Sequence, residues 1–227
     1  MRYTLKTLLI TSLLCTSVFA GGGGDILRVN ILFDNLEYQV NDEKVVNWDM
    51  SAYLGYDRDK LYIYSEGEKP DGVSASSETQ LVYSRAIAPF WDVQIGLDYD
   101  KSETSSKTWG VLAISGLSPY FFESRAVLLV DDKSNVGLRV DLEYEALITQ
   151  KLIFTPSFAL DAYTKDDLTQ GIGSGLSNIT LGGRLRYEIR REFASYIGVE
   201  WNKNFGTTYK ISPQDSSYLV GGIRFWY

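Results

Sequence analysis

Apolar and polar residues alternate along most of this chain from residue 26 onward, and a two-residue period predicts β-strands. In the segment 178–189, for example, Leu181 and Leu185 lie on one face, whereas Arg184 and Arg186 lie on the other. About twelve segments of this kind follow one another along the chain. They span residues 26–37, 45–56, 61–68, 78–86, 91–99, 108–117, 120–131, 136–147, 152–163, 178–189, 193–204 and 218–227.

The links between these segments alternate in length. The odd-numbered strands are followed by polar stretches at residues 40–44, 67–77, 100–107, 131–135, 163–177 and 205–217. The even-numbered strands are followed by short turns at residues 57–60, 87–90, 118–119, 148–151 and 190–192. Short periplasmic turns and longer extracellular loops alternate in this way in bacterial outer-membrane barrels. The pattern therefore predicts an all-β fold, a transmembrane antiparallel β-barrel of about twelve strands in the outer membrane.

Charged residues indicate which face of each strand points inward. Arg or Lys facing lipid at the bilayer midplane costs roughly 2–4 kcal/mol, so the face that carries Arg184 and Arg186 must line the lumen. In the eighth strand the same argument turns Arg139 and Asp141 inward and Leu138 outward. Extended to all strands, it predicts inward-facing acids at Asp34, Asp49, Glu66, Glu68, Glu78, Asp92, Asp98, Glu123, Asp141, Glu143, Asp161, Glu188 and Glu200, and arginines at Arg28, Arg125, Arg139, Arg184, Arg186 and Arg224. Carboxylates thus outnumber arginines about two to one.

The composition agrees with one lipid-facing and one wet face. The mean hydropathy is -0.12, whereas a helical membrane protein would be far more apolar. Aromatic residues make up 14% of the chain, with 16 Tyr, and aromatic residues near strand ends form interfacial girdles in membrane barrels. The candidates for such girdles are Tyr56, Trp91, Tyr99, Phe122, Trp201 and Tyr227.

The beginning of the chain is typical of a secretory signal peptide. Arg2 and Lys6 precede an apolar run over residues 8–19, and a small-residue cleavage pattern ends at Ala20. The run is shorter than the roughly 20 residues that a membrane-spanning helix needs. We therefore expect export rather than anchoring by a helix.

This reading divides the chain into three parts. We expect a leader at residues 1–20, a short glycine-rich periplasmic linker at 21–25 and one barrel domain at 26–227. The single cysteine, Cys15, then leaves with the leader. A mature chain without cysteine has neither disulfides nor a thiolate metal site, which fits an exported bacterial protein.

The last ten residues repeat the alternation and end on an aromatic residue. Leu219, Ile223 and Phe225 share one face, and the chain ends at Tyr227. An apolar final strand with the spacing Gly222-x-x-Phe225-x-Tyr227 resembles the terminal signal by which the outer-membrane assembly machinery recognises its barrels. Taken alone, the same ten residues are also compatible with the edge strand of a soluble sandwich. We expect the assembly machinery and outer-membrane lipid to be partners of this chain.

The net charge points to cationic partners. The formal charge is -7, and loss of Arg2 and Lys6 with the leader lowers it by two, to -9. An acidic chain is a poor binder of nucleic acid. Acidity that serves only solubility is an equally good explanation of the charge.

Several local strings are more specific than the alternation. In chain order they are Asn47-Trp48-Asp49, Glu66-Gly67-Glu68, YSRAIAPFWD (residues 83–92), GLSPY (116–120), Glu143-Tyr144, LITQKLI (147–153), GIGSGLS (171–177), LRYEIRREFA (185–194) and GIRFW (222–226). Together they resemble the copper resistance protein B family of outer-membrane proteins, and they extend over nearly all of the predicted mature chain. The resemblance implies a role in copper tolerance, copper ion binding and, as candidate partners, periplasmic copper-binding proteins.

The chain departs from the family in its metal ligands. Members usually carry an N-terminal extension rich in Met and His, which are ligands suited to copper. This sequence has no His, and after the leader its only methionine is Met50, on the lipid face by the predicted register. Any copper contact must then use carboxylates, backbone or loop tyrosines, and we expect it to be weak and transient.

The inward-facing acids are the candidates for a cation path. Rings of carboxylates favour cation passage, and carboxylate oxygen is a ligand for hard and borderline cations. The candidate residues are Asp49, Glu78, Asp92, Glu123 and Glu143. The alternative is structural, because most charged side chains inside a narrow barrel pair with one another.

Two other functions are compatible with a barrel. One is a general porin or structural barrel without metal specificity, which differs from a copper barrel in whether copper selectively changes growth, conductance or expression. The other is an enzyme, but lipases and proteases need a base, usually His, to activate Ser or water. The chain has no His, and Ser84 beside Arg85 has no base partner. We therefore predict a non-enzymatic barrel that handles copper ions.

Overall fold

The computed structural model describes residues 26–40, 45–71, 75–102 and 105–227. Within these ranges, twelve long strands form one antiparallel sheet, and the two-residue segment Ala146–Leu147 continues β8 beyond Glu145 and is counted with it. The strands are β1 (Arg28–Val40), β2 (Val45–Gly55), β3 (Asp59–Pro70), β4 (Ser76–Ala88), β5 (Trp91–Lys101), β6 (Ser106–Ser118), β7 (Phe122–Val130), β8 (Val136–Tyr144), β9 (Leu152–Tyr163), β10 (Gly175–Arg190), β11 (Phe193–Asn204) and β12 (Asp215–Trp226). The expected leader and glycine-rich linker lie outside the described residues.

The first and last strands pair with each other, and this closes the sheet into a barrel. β1 and β12 are antiparallel, with Leu32 opposite Trp226. At this seam the Tyr227 amide donates a hydrogen bond of 2.8 Å to the Ile31 carbonyl oxygen. A closed sheet has no edge strand, which is the condition for crossing the hydrocarbon region with strands.

The strand prediction is confirmed, with shifts at several ends. β1 continues to Val40, and β10 begins at Gly175 rather than at residue 178. β7 begins at Phe122 rather than at residue 120, because residues Pro119–Phe121 form a 3-10 turn. In that turn Tyr120 and Phe121 have φ angles of 67° and 64°. A left-handed backbone cannot continue a strand.

The exposure of the side chains confirms the two predicted faces. Along β6, Leu112 and Ile114 are exposed on the outer surface, whereas Trp109 and Val111 are buried inside. On β10, Arg184 lines the interior cavity. The outer surface is therefore the apolar, lipid-facing one, as expected for a membrane barrel.

One irregularity changes the set of inward-facing acids. The pairing of β1 with both neighbouring strands shifts register around Asp34, so Asp34 is the extra residue of a β-bulge. Asp34 contacts Arg224, and three residues later Glu37 contacts Arg184, so both carboxylates point inward. Strict alternation from Asp34 places Glu37 on the lipid face, so the sequence pattern alone does not identify Glu37 as an inward-facing acid.

Part of the barrel interior is apolar. The buried side chains Val82, Trp109, Val111, Ala113, Val127 and Leu129 form a cluster, against which Tyr62, Tyr64, Tyr163 and Ile172 pack. Ile172 belongs to the loop between β9 and β10, so this loop folds inward over the cluster. The lumen thus combines an apolar wall with a polar one.

The helical segments are short. Besides Pro119–Phe121, helix α1 (Gly206–Ile211) lies in the last extracellular loop. Its buried Thr208 accepts a hydrogen bond of 2.9 Å from the Gly173 amide and lies 2.8 Å from the Ser177 hydroxyl. No helix in the described part of the chain is long and apolar enough to cross a membrane.

Candidate functional site

The barrel encloses a cavity of about 690 Å³. Among the described residues that line it, the charged ones are eight acids and four arginines, namely Asp34, Asp49, Glu66, Glu78, Glu123, Asp141, Glu143 and Glu200, with Arg125, Arg139, Arg184 and Arg224. The excess of acids expected from the alternation is therefore present around this cavity. Such a lining attracts cations and repels anions.

Several acids are in register across neighbouring strands. From β2 to β5, Asp49 is opposite Glu66, Glu66 is opposite Glu78, and Glu78 is opposite Asp100. Directly opposed side chains in antiparallel strands have Cβ atoms about 4.5–5.5 Å apart, and like charges at this spacing are destabilising. The row therefore depends on positive charge supplied from the lumen.

Arg139 of β8 supplies part of this positive charge from another wall. Its guanidinium contacts Glu78 on β4, lies 3.5 Å from Glu66 on β3 and lies 2.9 Å from Asp161 on β9. The arginine side chain is largely buried. Glu66 and Glu78 are thus held in a bridge between two walls of the lumen.

A second network surrounds Arg184. Its guanidinium donates two hydrogen bonds to Glu37, of 3.0 and 2.9 Å, and one of 2.8 Å to Glu200. Tyr196 donates to Glu37 at 3.1 Å, and Tyr218 donates to Glu200 at 2.9 Å. Both carboxylates therefore share the charge of Arg184 and are hydrogen-bonded by side chains on β10 to β12, and the contacts of Glu37 cross the seam of the barrel.

A third network involves the acids nearer the periplasmic end. Arg224 contacts Asp34 and lies 3.8 Å from Glu145, which also accepts a hydrogen bond of 2.6 Å from Arg186. Asp34 and Glu145 are therefore engaged by arginines. The paired acids of all three networks fit the structural alternative for lumen charges.

Arg125 is held differently. It donates hydrogen bonds to the side-chain oxygens of Gln94, at 3.2 Å, and Gln80, at 2.5 Å. Its guanidinium also lies 4.3 Å from the centroid of the Tyr64 ring. Neutral amides orient an arginine without cancelling its charge, so Arg125 contributes a positive charge to this wall that acts on the neighbouring acids without a direct ion pair in the described ranges.

Four acids of the cavity have no comparable partner. Within the described residues, no Lys or Arg nitrogen lies within 4.0 Å of the carboxylates of Asp49, Glu123, Asp141 and Glu143. Glu123 lies opposite Glu143 in the pairing of β7 with β8, and Asp141 lies opposite Arg125. We call these four residues the unpaired acids.

The structure brings most of the sequence-predicted candidates together. Of the five, Asp49, Glu78, Glu123 and Glu143 line the cavity. Asp92 does not line it. Its carboxylate accepts a hydrogen bond of 3.1 Å from Ser84 and lies 3.7 Å from the Lys60 ammonium. The cavity instead includes Asp141, which alternation identified as inward-facing without distinguishing it from the other acids.

Asp98 stands apart from the cavity acids. It is 1% exposed, and neither of its carboxylate oxygens has a hydrogen-bond partner in the described ranges. It lies between Gln80 and Trp109 in the pairing of β4, β5 and β6. Alternation predicted its inward direction but not its burial, because burial depends on how Trp109 and the apolar cluster pack.

Charged groups also fasten the extracellular loops. The Lys107 ammonium lies 2.8 Å from Asp131, 2.7 Å from Asp167 and 3.9 Å from the centroid of the Trp109 ring. Burial alone would raise the pKa of both carboxyls. Hydrogen bonds from Lys107 and nearby groups outweigh it, lowering the pKa of Asp131 below its usual range and that of Asp167 to about 2. We call this cluster the loop clamp.

Other kinds of copper ligand are scarce around the lumen. The chain contains no His, and Met50 lies on the lipid-facing side of β2, opposite Phe33 and Ser65. In the part of the chain that the structure describes, no group of three or more His, Cys, Asp or Glu residues is arranged to hold a metal ion. The cavity therefore offers a cation mainly carboxylate oxygens.

Comparison with known proteins places the chain among copper resistance proteins. The family model described as Copper resistance protein B precursor (CopB) matches residues 27–227. The chain is 37% identical over 203 residues to Copper resistance protein B of Escherichia coli, covering 87% of this chain and 69% of that protein. It is 35% identical over 200 residues to a Copper resistance protein B homolog of Pseudomonas syringae pv. tomato, covering 86% and 68% respectively.

Solved structures resemble the fold. The NanC porin superposes with a TM-score of 0.59 at 11% identity, covering 87% of this chain and 99% of that one. At such low identity the similarity concerns the outer-membrane barrel architecture alone.

Proposed function

Because the chain belongs to the copper resistance protein B family, we propose that it handles copper ions at the outer membrane and passes them through the acidic lumen of its barrel. Copper is the cargo in this proposal. The observation that carries it is the interior cavity, where eight acids face four arginines and four of the acids are unpaired. The copper connection itself rests on the family.

The unpaired acids would provide the contacts for the cation. For oxygen and nitrogen sites, Cu²⁺ binds more strongly than the other divalent first-row metals. Carboxylates without imidazole or thiolate form weaker contacts, so an ion can exchange from one acid to the next. Binding that is favourable enough for entry and weak enough for exit is what conduction requires.

The arginines would limit how tightly a cation is held. Arg125 lies opposite Asp141 and keeps its charge, because its hydrogen-bond partners are amides. A fixed positive charge next to an acid lowers the attraction of that acid for a mobile cation. Passage rather than storage is therefore the function that this arrangement favours.

A general porin or structural barrel is the second candidate. It is favoured by the paired networks, above all the bridge from Arg139 to Glu78 between two walls. Such networks order a lumen whatever passes through it. The two candidates differ in whether copper, compared with other divalent cations, selectively changes growth or conductance.

We further propose the route by which the protein reaches its site. The leader at residues 1–20 directs export, and the assembly machinery inserts the barrel into outer-membrane lipid. Periplasmic copper-binding proteins are the proposed partners at the inner mouth. The role is non-enzymatic, because the chain has no His to serve as a catalytic base.

The test compares survival and copper accumulation in cells that lack the protein with cells that produce it or a variant. The test variant carries Asp49→Asn, Asp141→Asn and Glu143→Gln. The control carries Asp71→Asn, Asp132→Asn and Glu192→Gln, which removes the same charge from exposed positions. We expect the control to restore the wild-type copper response and the lumen variant to fail. An equal copper response from the two folded variants would mean that the lumen acids have only a structural role.

Calorimetry tests the affinity. Purified protein is expected to bind copper weakly, because imidazole and thiolate are absent from the lumen. Nanomolar, stoichiometric binding would contradict the proposal that copper only passes through.

A further inference from the structure

The periplasmic rim of the barrel is apolar along three adjacent turns, which connect β4 to β5, β6 to β7 and β8 to β9. The residues concerned are between 59% and 84% exposed, and they are Ile87, Phe90, Tyr120, Phe121, Leu147 and Ile148. We call this group the apolar rim. Lys151 is the charged residue of the turn between β8 and β9, whereas the other two periplasmic turns carry two charges each, at Asp57 and Arg58 and at Arg191 and Glu192.

The apolar rim is continuous with the lipid-facing surface. The Phe90 carbonyl oxygen accepts a hydrogen bond of 3.0 Å from the Leu117 amide, which joins the first turn to the end of β6. The Phe122 ring lies 5.2 Å from the Tyr144 ring, which joins the second turn to the end of β8. Phe122 lies on the outer face of β7, the face that also carries Leu128.

Strand length gives one reason for an apolar rim on this side. β7 has nine residues, whereas β10 has 16. A strand rising about 3.4 Å per residue and tilted about 40° climbs about 2.6 Å per residue along the membrane normal, so nine residues cover about 23 Å. The apolar band of such barrels is about 25 Å tall.

The shortfall falls at the periplasmic end. At the extracellular end the charged residues Asp131, Asp132 and Lys133 directly follow β7 and fix the upper boundary of the band near Val130. The remaining distance of about 2 Å must then be supplied below Phe122. Tyr120 and Phe121 occupy this position.

The middle turn combines a strained backbone with exposed rings. Tyr120 and Phe121 both adopt positive φ angles, a conformation that bulky residues rarely adopt. Their side chains are among the most exposed apolar ones in the described ranges. In water, neither the positive φ angles nor the exposure of the two aromatic rings would stabilise the turn.

We propose that the apolar rim is immersed in the inner leaflet of the outer membrane, so that the barrel sits deeper on the side of β4 to β9 than on the side of its charged turns. This surface contacts the lipid acyl chains and the membrane–water interface. A continuous apolar patch of this kind is a recognised mark of a membrane or protein contact, and continuity with the lipid-facing strands selects the membrane.

Spin labels measure immersion directly. The only cysteine of the chain is Cys15, in the expected leader, so single labels can be placed at Phe90→Cys and Phe121→Cys in a Cys15→Ser background. Glu192→Cys in a charged turn is the matched control, and Leu112→Cys on the outer face of β6 is the lipid reference. The labelled proteins are reconstituted in vesicles of phosphatidylethanolamine and phosphatidylglycerol, and accessibility to oxygen and to a water-soluble nickel chelate is measured.

We expect labels at residues 90 and 121 to resemble the reference, with nickel accessibility several-fold lower than at residue 192. Equal nickel accessibility at 90, 121 and 192 would overturn the proposal, because the rim would then lie in water. Hydroxyl-radical footprinting of the unlabelled protein gives the same answer without substitution: protection of Tyr120 and Phe121 in vesicles supports immersion, and free oxidation contradicts it. Neither readout involves copper, so the result is independent of the proposed function.

Discussion

Arg139 compensates the negative charge of several lumen acids at once. It engages Glu66, Glu78 and Asp161 on three different strands. Breaking a buried ion pair by removing one partner leaves charge uncompensated and typically costs about 3–5 kcal/mol.

We therefore expect Arg139→Gln to lower the stability of the folded barrel by about 3–5 kcal/mol. Urea unfolding in lipid vesicles, followed by tryptophan fluorescence, measures the change. Arg58→Gln, in an exposed turn, is the control and should be nearly neutral. A variant at residue 139 as stable as this control would show that the network contributes little.

The loop clamp gives a pH dependence at the same scale. The pKa values of Asp131 and Asp167 are lowered in the folded protein, so the ionised carboxylates stabilise the loops in the arrangement that the loop clamp holds. Their contribution is complete above the ordinary Asp value of about 3.9 and is lost as the pH falls through the folded value, about 2 for Asp167.

Pepsin, which is active across this range, should therefore cleave the loop after β9 at pH near 2 and spare it near pH 4.5. Lys107→Met removes the cation of the clamp, and we expect cleavage of this variant at both pH values. Wild-type protein that is cut equally at both values would exclude the clamp as the element that holds the loop.

At the scale of the strands, the bulge at Asp34 decides which side chains of β1 enter the lumen. A one-residue shift of register moves every later side chain to the opposite face, and the bulge prevents this shift by absorbing Asp34 as an extra residue. Phe33 lies opposite Met50 and Asn35 opposite Asp49, so deleting Asp34 should leave a regular strand in which Glu37 still faces Arg184. We expect the deletion variant to insert, seen as a retained heat-modifiable band in gels, as should Asp34→Asn, which keeps the bulge. Loss of the band in the deletion variant alone would mean that the bulge itself is required for insertion.

The end of β12 closes the seam with β1. Phe225 stacks on Phe33 with ring centroids 4.5 Å apart, and Tyr227 exchanges backbone hydrogen bonds with Ile31. Deleting residues 225–227 should therefore abolish membrane insertion and leave secretion intact, as fractionation and heat modifiability would show. Replacing residues 168–170 by alanines, in an extracellular loop, is the control and should insert normally. Wild-type levels of embedded protein after the deletion would contradict this role of the C-terminus.

Over the whole molecule, the sequence was sufficient for the strands and their faces because both depend on a local two-residue period. The lipid-facing positions of Leu138 and Leu185, for example, follow from their charged neighbours alone. The bulge at Asp34 was not predictable, since no residue type marks it in the alternation. The pairing of individual acids was not predictable either, because Arg139 reaches Glu78 across 61 positions of the chain. For the same reason sequence alone could not separate Asp92, which has its own partners, from the unpaired Asp141.

Copper entry into vesicles measures whether the acidic lumen passes copper. Purified barrels are reconstituted around a trapped copper-sensitive dye, and the initial rate after addition of Cu²⁺ is compared for wild type, the lumen variant (Asp49→Asn, Asp141→Asn, Glu143→Gln) and the charge-matched control (Asp71→Asn, Asp132→Asn, Glu192→Gln). We expect rapid entry with wild type and control, and entry several-fold slower with the lumen variant. Equal rates for all three folded proteins, or a wild-type rate no faster than that of empty vesicles, would contradict this expectation.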